Sequence, residues 1–109
     1  MHRDEIPHGT LDLLVLRSLA RNGEMHGFEI AKFIERVSGD VLRVEEGSLY
    51  PALQRMLIKG WVSAKWGATA ENRRARYYHL TPLGKKKLEV EVSDFERVMA
   101  AVGRVIQTE

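Results

Sequence analysis

The chain has no cysteine, which excludes disulfides and thiolate metal sites. It also lacks any apolar run near the roughly 20 residues that a membrane-spanning helix requires. The opening Met1-His2-Arg3-Asp4-Glu5 mixes charges and has neither the apolar stretch nor the small-residue cleavage site of a secretory leader. A cytoplasmic location is therefore expected. A glycine-rich phosphate loop, a nucleophile elbow and a paired acid and base are all missing, so an enzyme is not expected. His2, His8, His26 and His79 have no metal-ligand spacing, and neither metal nor cofactor is expected.

What remains is a 109-residue chain of 12.4 kDa, the size of one domain with one core. It is 44% hydrophobic and 29% charged, the balance of a folded protein rather than a disordered one. The net charge of +2 is small, but its distribution is uneven. Residues 61–87 carry seven Lys and Arg against Glu71 alone, whereas residues 88–109 carry two against five acids. One third of the chain is thus suited to a polyanion and the end is not, although a solvated charged surface accounts for the same count.

Apolar periodicity predicts four helices. The first begins at Thr10, whose hydroxyl is placed to cap it; Leu11, Leu14, Val15 and Leu19 follow helical spacing until Asn22-Gly23. The second runs from Gly27 to Val37, burying Ile30, Ala31, Ile34 and Val37, and stops at Ser38-Gly39. His26 at its start is read as a local cap in preference to a DNA contact. In the third, Ser48 is the expected N-cap, Pro51 falls in the first turn, and Gly60 closes the segment. Advancing about 100° per residue puts Leu49, Ala52, Leu53, Met56 and Leu57 on one side. Tyr50, Pro51, Gln54, Arg55 and Ile58 fall on the other, with Lys59 at the flank. A phenol, an amide and a guanidinium on one exposed face are chemistry for phosphates and base edges.

Strand-like runs from Trp61 to Trp66 and from Arg73 to Leu80 flank the polar stretch Gly67–Asn72, which predicts a β-hairpin bearing Lys65, Arg73, Arg74 and Arg76. Tyr77 and Tyr78 point to opposite faces, so at least one belongs to the core. Thr81-Pro82 opens the last helix as N-cap and N1. There Leu88, Val92, Phe95, Met99, Val102 and Ile106 step by alternating fours and threes, a heptad seam. Such a stripe packs against another chain or folds back on its own domain. Lys85, Lys86 and Lys87 are either a solvated face or backbone contacts.

The fold class expected is therefore mainly α with a small β-hairpin, a winged helix-turn-helix over residues 1–80 followed by a C-terminal dimerisation helix over 81–109. In that pattern the third helix enters the major groove and the hairpin wing reaches the flanking backbone. The rival use of the same fold is protein–protein contact; the outward Gln54 and Arg55 and the basic hairpin favour DNA.

At several ordered stretches the chain resembles the PadR family of bacterial transcriptional regulators. They are Gly9-Thr10-Leu11 with Leu14 to Leu16, Met25-His26-Gly27-Phe28-Glu29-Ile30, Gly47-Ser48-Leu49-Tyr50-Pro51-Ala52-Leu53, Gly60-Trp61-Val62, and Arg73 through Thr81 with Gly84. Each is weak alone; their order over residues 9–88 is specific. The single C-terminal helix resembles the compact branch of the family. The chain departs at Leu57-Ile58, where members commonly carry Leu-Glu, so Ile58 either touches a thymine methyl or is half-buried. The resemblance implies a homodimer that represses transcription from a pseudo-palindromic operator in double-stranded DNA and releases it on binding a small molecule. It matches Ser48, Tyr50, Pro51, Gln54 and Arg55 to the DNA-reading helix, and Arg73, Arg74 and Arg76 to the wing. It also implies that a planar aromatic effector stacks on Phe95, beside Met99, between subunits; Phe95 as a plain seam residue is the alternative.

Overall fold

A computed structural model describes residues 4–6 and 9–109. His2 and His8, expected to hold no metal, lie outside them. In chain order the elements are β1 (Asp4–Glu5), α1 (Leu11–Asn22), β2 (Met25–His26), α2 (Gly27–Val37), β3 (Leu42–Arg43), α3 (Glu46–Ile58), β4 (Val62–Ala68), β5 (Arg74–Leu80) and α4 (Pro82–Ile106).

Local chemistry explains most boundaries. Thr10 occupies the N-cap position of α1, but its hydroxyl makes no capping bond, contrary to expectation. Gly23, at φ 79°, ends that helix by donating its N–H to the Leu19 carbonyl. His26 does cap α2. Its Nδ1 accepts from the Glu29 N–H at 3.4 Å while Glu29 Oε1 accepts from the His26 N–H at 3.0 Å, a reciprocal box that satisfies two orphan donors. Val37 was expected to be buried and is instead 62% exposed, at the last position of α2.

The third helix starts three residues earlier than expected. Glu45 is the extended N-cap residue, and Ser48, far from capping, lies within the helix and donates its N–H to the Glu45 carbonyl. Glu46 in the first turn meets the positive end of the helix dipole, which favours the earlier start. Pro51 accordingly sits beyond the first turn, inside the helix, and leaves the Gly47 carbonyl without its i+4 donor. Both residues are exposed, so that carbonyl faces solvent rather than a dry core. The helix ends at Ile58, with Gly60 at φ 77° turning the chain into the wing.

β4 and β5 pair antiparallel from Val62↔Leu80 to Ala68↔Arg74, two residues further out than the strand expected to end at Trp66. Thr69–Arg73 closes the hairpin through a Thr69 N–H to Arg73 carbonyl bond and the returning Arg73 N–H to Thr69 Oγ1. β2 adds a third strand against β5 by pairing Met25 with Tyr78 and His26 with Tyr77, while β1 and β3 form a separate parallel pair.

Inside lie Leu13, Val15, Leu16 and Leu19 of α1, Ile30 and Ile34 of α2, and Leu49, Ala52, Leu53 and Met56 of α3. Met25, Val62, Tyr78 and Leu88 complete this core. Leu57 packs at its edge, partly buried. Leu88, expected in the dimer seam, is 7% exposed within its own chain. The cause is the docking of the start of α4. Thr81 Oγ1 donates to the Gly60 carbonyl and accepts from the Gly84 N–H, pinning the first turn to the base of the wing. Gly84 is buried so tightly there that an added Cβ would overlap the Trp61 carbonyl oxygen. The core therefore continues past residue 80, and Val92 packs against it as well.

Candidate nucleic-acid interface

The outward face of α3 is built as the helical wheel requires. Once Leu49, Ala52, Leu53 and Met56 are inserted in the core, Ser48, Tyr50, Pro51, Gln54, Arg55, Ile58 and Lys59 must point away, and all are exposed. Ile58, at 78% exposure, is not half-buried. The Tyr50 ring lies on Gly27, where a Cβ would come within 2.8 Å of the phenol oxygen, yet the residue remains 46% exposed. Gly27 thus admits the ring at the N-terminus of α2, with the phenol oxygen against it.

Arg55 is not free. Its Nη2 donates to Asp12 Oδ1 of α1 at 3.1 Å. With Ser48, Pro51 and Arg43, the pair lines a cleft of about 560 Å³ between α1, β3 and α3. Lys59 leans over the Trp61 ring at 4.8 Å, and Lys87 is at the same distance from that ring. Lys87 also pairs with Glu91, whereas Lys85 and Lys86 stand exposed.

Strand alternation sorts the wing charges. Trp66 faces Arg76 across the ladder, and Arg74, two residues from Arg76, shares that face. The Arg74 guanidinium stacks on Trp66 at 4.2 Å and Arg76 reaches 6.0 Å, while the indole is 58% exposed. Arg73 sits exposed at the hairpin end. Lys65 projects from the other face and pairs with Glu24 at 2.9 Å, so it is separated from the arginines. A second, larger cleft of about 990 Å³ brings Tyr50 of α3, His26 and Phe28 of α2, and Trp66, Arg73, Arg74 and Arg76 of the wing around one space.

The structure thus joins Tyr50 with the wing arginines at one cleft, and Ser48, Pro51 and Arg55 at the other. Gln54 is exposed on α3 and lines neither. Sequence reasoning missed Trp66 and Asp12. Trp66 reaches the face of Arg74 and Arg76 only in the observed register, Trp66↔Arg76, which alternation within a strand does not fix; the 43-residue separation of Asp12 from Arg55 left no local signal either. Tyr78 is the buried member of the tyrosine pair. Burial pushes its phenol above the usual pKa, with the Arg76 charge opposing. Among the described residues, no cluster of three or more His, Asp or Glu is placed to hold a metal ion. His79 instead meets Ser63 at 2.6 Å.

On α4, Phe95, Met99, Val102 and Ile106 are exposed along one side, at 41%, 45%, 42% and 75%. No helix among the described residues is long and apolar enough to cross a membrane.

Three helices with the third presenting a polar face, a three-stranded sheet whose β4–β5 hairpin is basic, and a trailing helix define a winged helix-turn-helix protein. The transcriptional regulator PadR-like family model matches residues 15–90, and the chain belongs to that family, whose members are regulators and not enzymes. It is 30% identical over 98 residues to uncharacterized protein X of Lysinibacillus sphaericus, covering 90% of this chain and 89% of that one. A transcriptional regulator from Clostridium thermocellum superposes with a TM-score of 0.82 at 25% identity, over 91% of this chain and 95% of the other. Bacillus subtilis PadR, solved in complex with operator DNA, shares the fold with a TM-score of 0.68 at 23% identity, over 79% of this chain and 48% of that one.

Proposed function

We propose that the protein is a sequence-specific DNA-binding transcriptional regulator, a cytoplasmic homodimeric repressor released from a pseudo-palindromic operator by a small-molecule effector. The observation that carries the DNA reading is the joint exposure of Ser48, Tyr50, Pro51, Gln54, Arg55 and Lys59 on α3 beside Arg73, Arg74 and Arg76 on the wing. An α-helix fits the major groove. An amide favours adenine and a guanidinium favours guanine there, while wing arginines add contacts to phosphate. The operator complex of the Bacillus subtilis relative supports this use of the fold.

Dimerisation rests on α4. Phe95, Met99, Val102 and Ile106 form an exposed apolar stripe beyond the part of the helix held by its own core, which a second copy would cover. Phe95 and Met99 of two subunits would face each other and offer a flat, polarizable slot for a planar aromatic effector. A ligand there would alter the angle between subunits and so the spacing their reading helices can reach.

A gel-shift against the promoter of its own gene, repeated across a salt series, tests the function. The reading predicts a discrete complex that outlasts excess competitor DNA and weakens steeply with salt; binding that competitor abolishes equally would remove it. Calorimetry with planar aromatic dyes on wild type and Phe95→Ala tests the effector slot, and equal binding to both would take Phe95 out of it.

A further inference from the structure

Asp12 presents a puzzle of charge. It shares a cleft with Ser48, Pro51 and Arg55, three residues of the face that meets DNA in the proposed function. A carboxylate there repels phosphates and weakens binding to every sequence. Its place in the first turn of α1 suits the helix dipole, but that benefit needs only an acid somewhere in the turn. The contact made is specific: Arg55 Nη2 to Asp12 Oδ1, at 3.1 Å, across two helices.

We propose that Asp12 is a positioning residue for sequence readout, holding the Arg55 guanidinium so that its remaining donors meet one base. The inference rests on the DNA-reading role of α3. A guanidinium has five N–H donors in a planar fork, and Asp12 engages a single nitrogen. The other edge keeps two adjacent donors, the number that guanine O6 and N7 require. Arg55 is 55% exposed at its side chain and Asp12 30%, so the pair is anchored on the protein side and open on the other. An arginine held this way loses less rotamer freedom on docking and is worse placed for any nearby phosphate. The repulsion acts on all sequences alike, whereas the restraint on Arg55 lowers affinity for wrong sequences more than for the right one, which is discrimination by penalty as well as by contact.

The experiment begins by selecting a preferred duplex from a random pool with the wild-type protein. Affinities are then measured for wild type, Asp12→Asn, Arg55→Gln and the double variant. The probes are the selected duplex, derivatives changed at single base pairs, and a random duplex. Asp12→Asn should bind the random duplex roughly threefold to tenfold more tightly and lose a comparable factor of discrimination at the base pair that Arg55→Gln also blinds. In the Arg55→Gln background the same substitution should raise all affinities alike and change discrimination nowhere. A merely structural role in α1 would show the same effect in both backgrounds, and that result overturns the proposal. So does unchanged discrimination in Asp12→Asn. If wild type selects no sequence at all, the DNA-reading function falls with it, an outcome distinct from wild type selecting and the variant matching it.

Discussion

Glycine to alanine at two positions of α4 should have opposite signs. In a helix interior the exchange stabilises by up to about 1 kcal/mol, because alanine loses less backbone entropy on folding. At Gly103 a new Cβ meets nothing within 4 Å, so that gain should be realised, raising the melting temperature by about 5 °C. At Gly84 the Cβ would overlap the Trp61 carbonyl oxygen and approach Leu80 Cδ1 to 2.9 Å. A backbone oxygen at the base of the wing has no rotamer to escape into, so α4 must lift from its seat. Overpacking of this kind costs about 1–3 kcal/mol. Partial loss of the Thr81–Gly84 cap at 3.0 Å adds about 1 kcal/mol. The net expectation is a loss of about 2 kcal/mol and a melting temperature lower by about 10 °C. Thermal unfolding followed by far-ultraviolet circular dichroism, at one protein concentration, reads both variants. A Gly84→Ala protein within about 0.5 kcal/mol of wild type would refute the described docking of α4.

Arg55→Ala should relax base preference, whereas Arg74→Ala should weaken all duplexes alike and reduce the salt slope by about one; binding isotherms across salt separate them. Met99→Asp, which would bury a charge in the proposed seam, should give monomers that lose specific binding, as sedimentation reads directly. Tyr78 has a raised pKa in the folded chain, so its contribution to stability holds at neutral pH and is lost as pH climbs past the ordinary phenol value of about 10. Tyr78→Phe should flatten that alkaline limb of the stability curve, and an unchanged limb would assign it to other groups.

Legibility in the sequence tracked the range of the interaction. The limits of α2 were readable because His26, Glu29 and Ser38-Gly39 act within a turn of the helix ends. The apolar face of α3 was readable from period alone, but its start was not. Ser48 has the chemistry of a cap, and only the backbone shows Glu45 taking that place. The hairpin ran longer than expected because five residues, Thr69–Arg73, suffice to turn it, leaving Gly67 and Ala68 free to pair with Ala75 and Arg74. The heptad stripe of α4 is the same pattern whether it meets its own domain or another chain. Leu88 went to its own core because Gly84 lets the helix approach Trp61. Pairing of β2 with β5 and of Asp12 with Arg55 depends on segments far apart in the chain, beyond the reach of periodicity.

The central claim is that two copies of α3 read the major groove as a two-fold pair. Methylation interference on the duplex preferred by the wild-type protein tests it, since a methyl on guanine N7 blocks the acceptor that an arginine reads in that groove. The account predicts interference in two symmetric clusters about 10 base pairs apart, or a multiple of that, with the Arg55-dependent guanine lost from the pattern of Arg55→Ala. Interference at one unrepeated cluster, or binding indifferent to N7 methylation throughout, would contradict it.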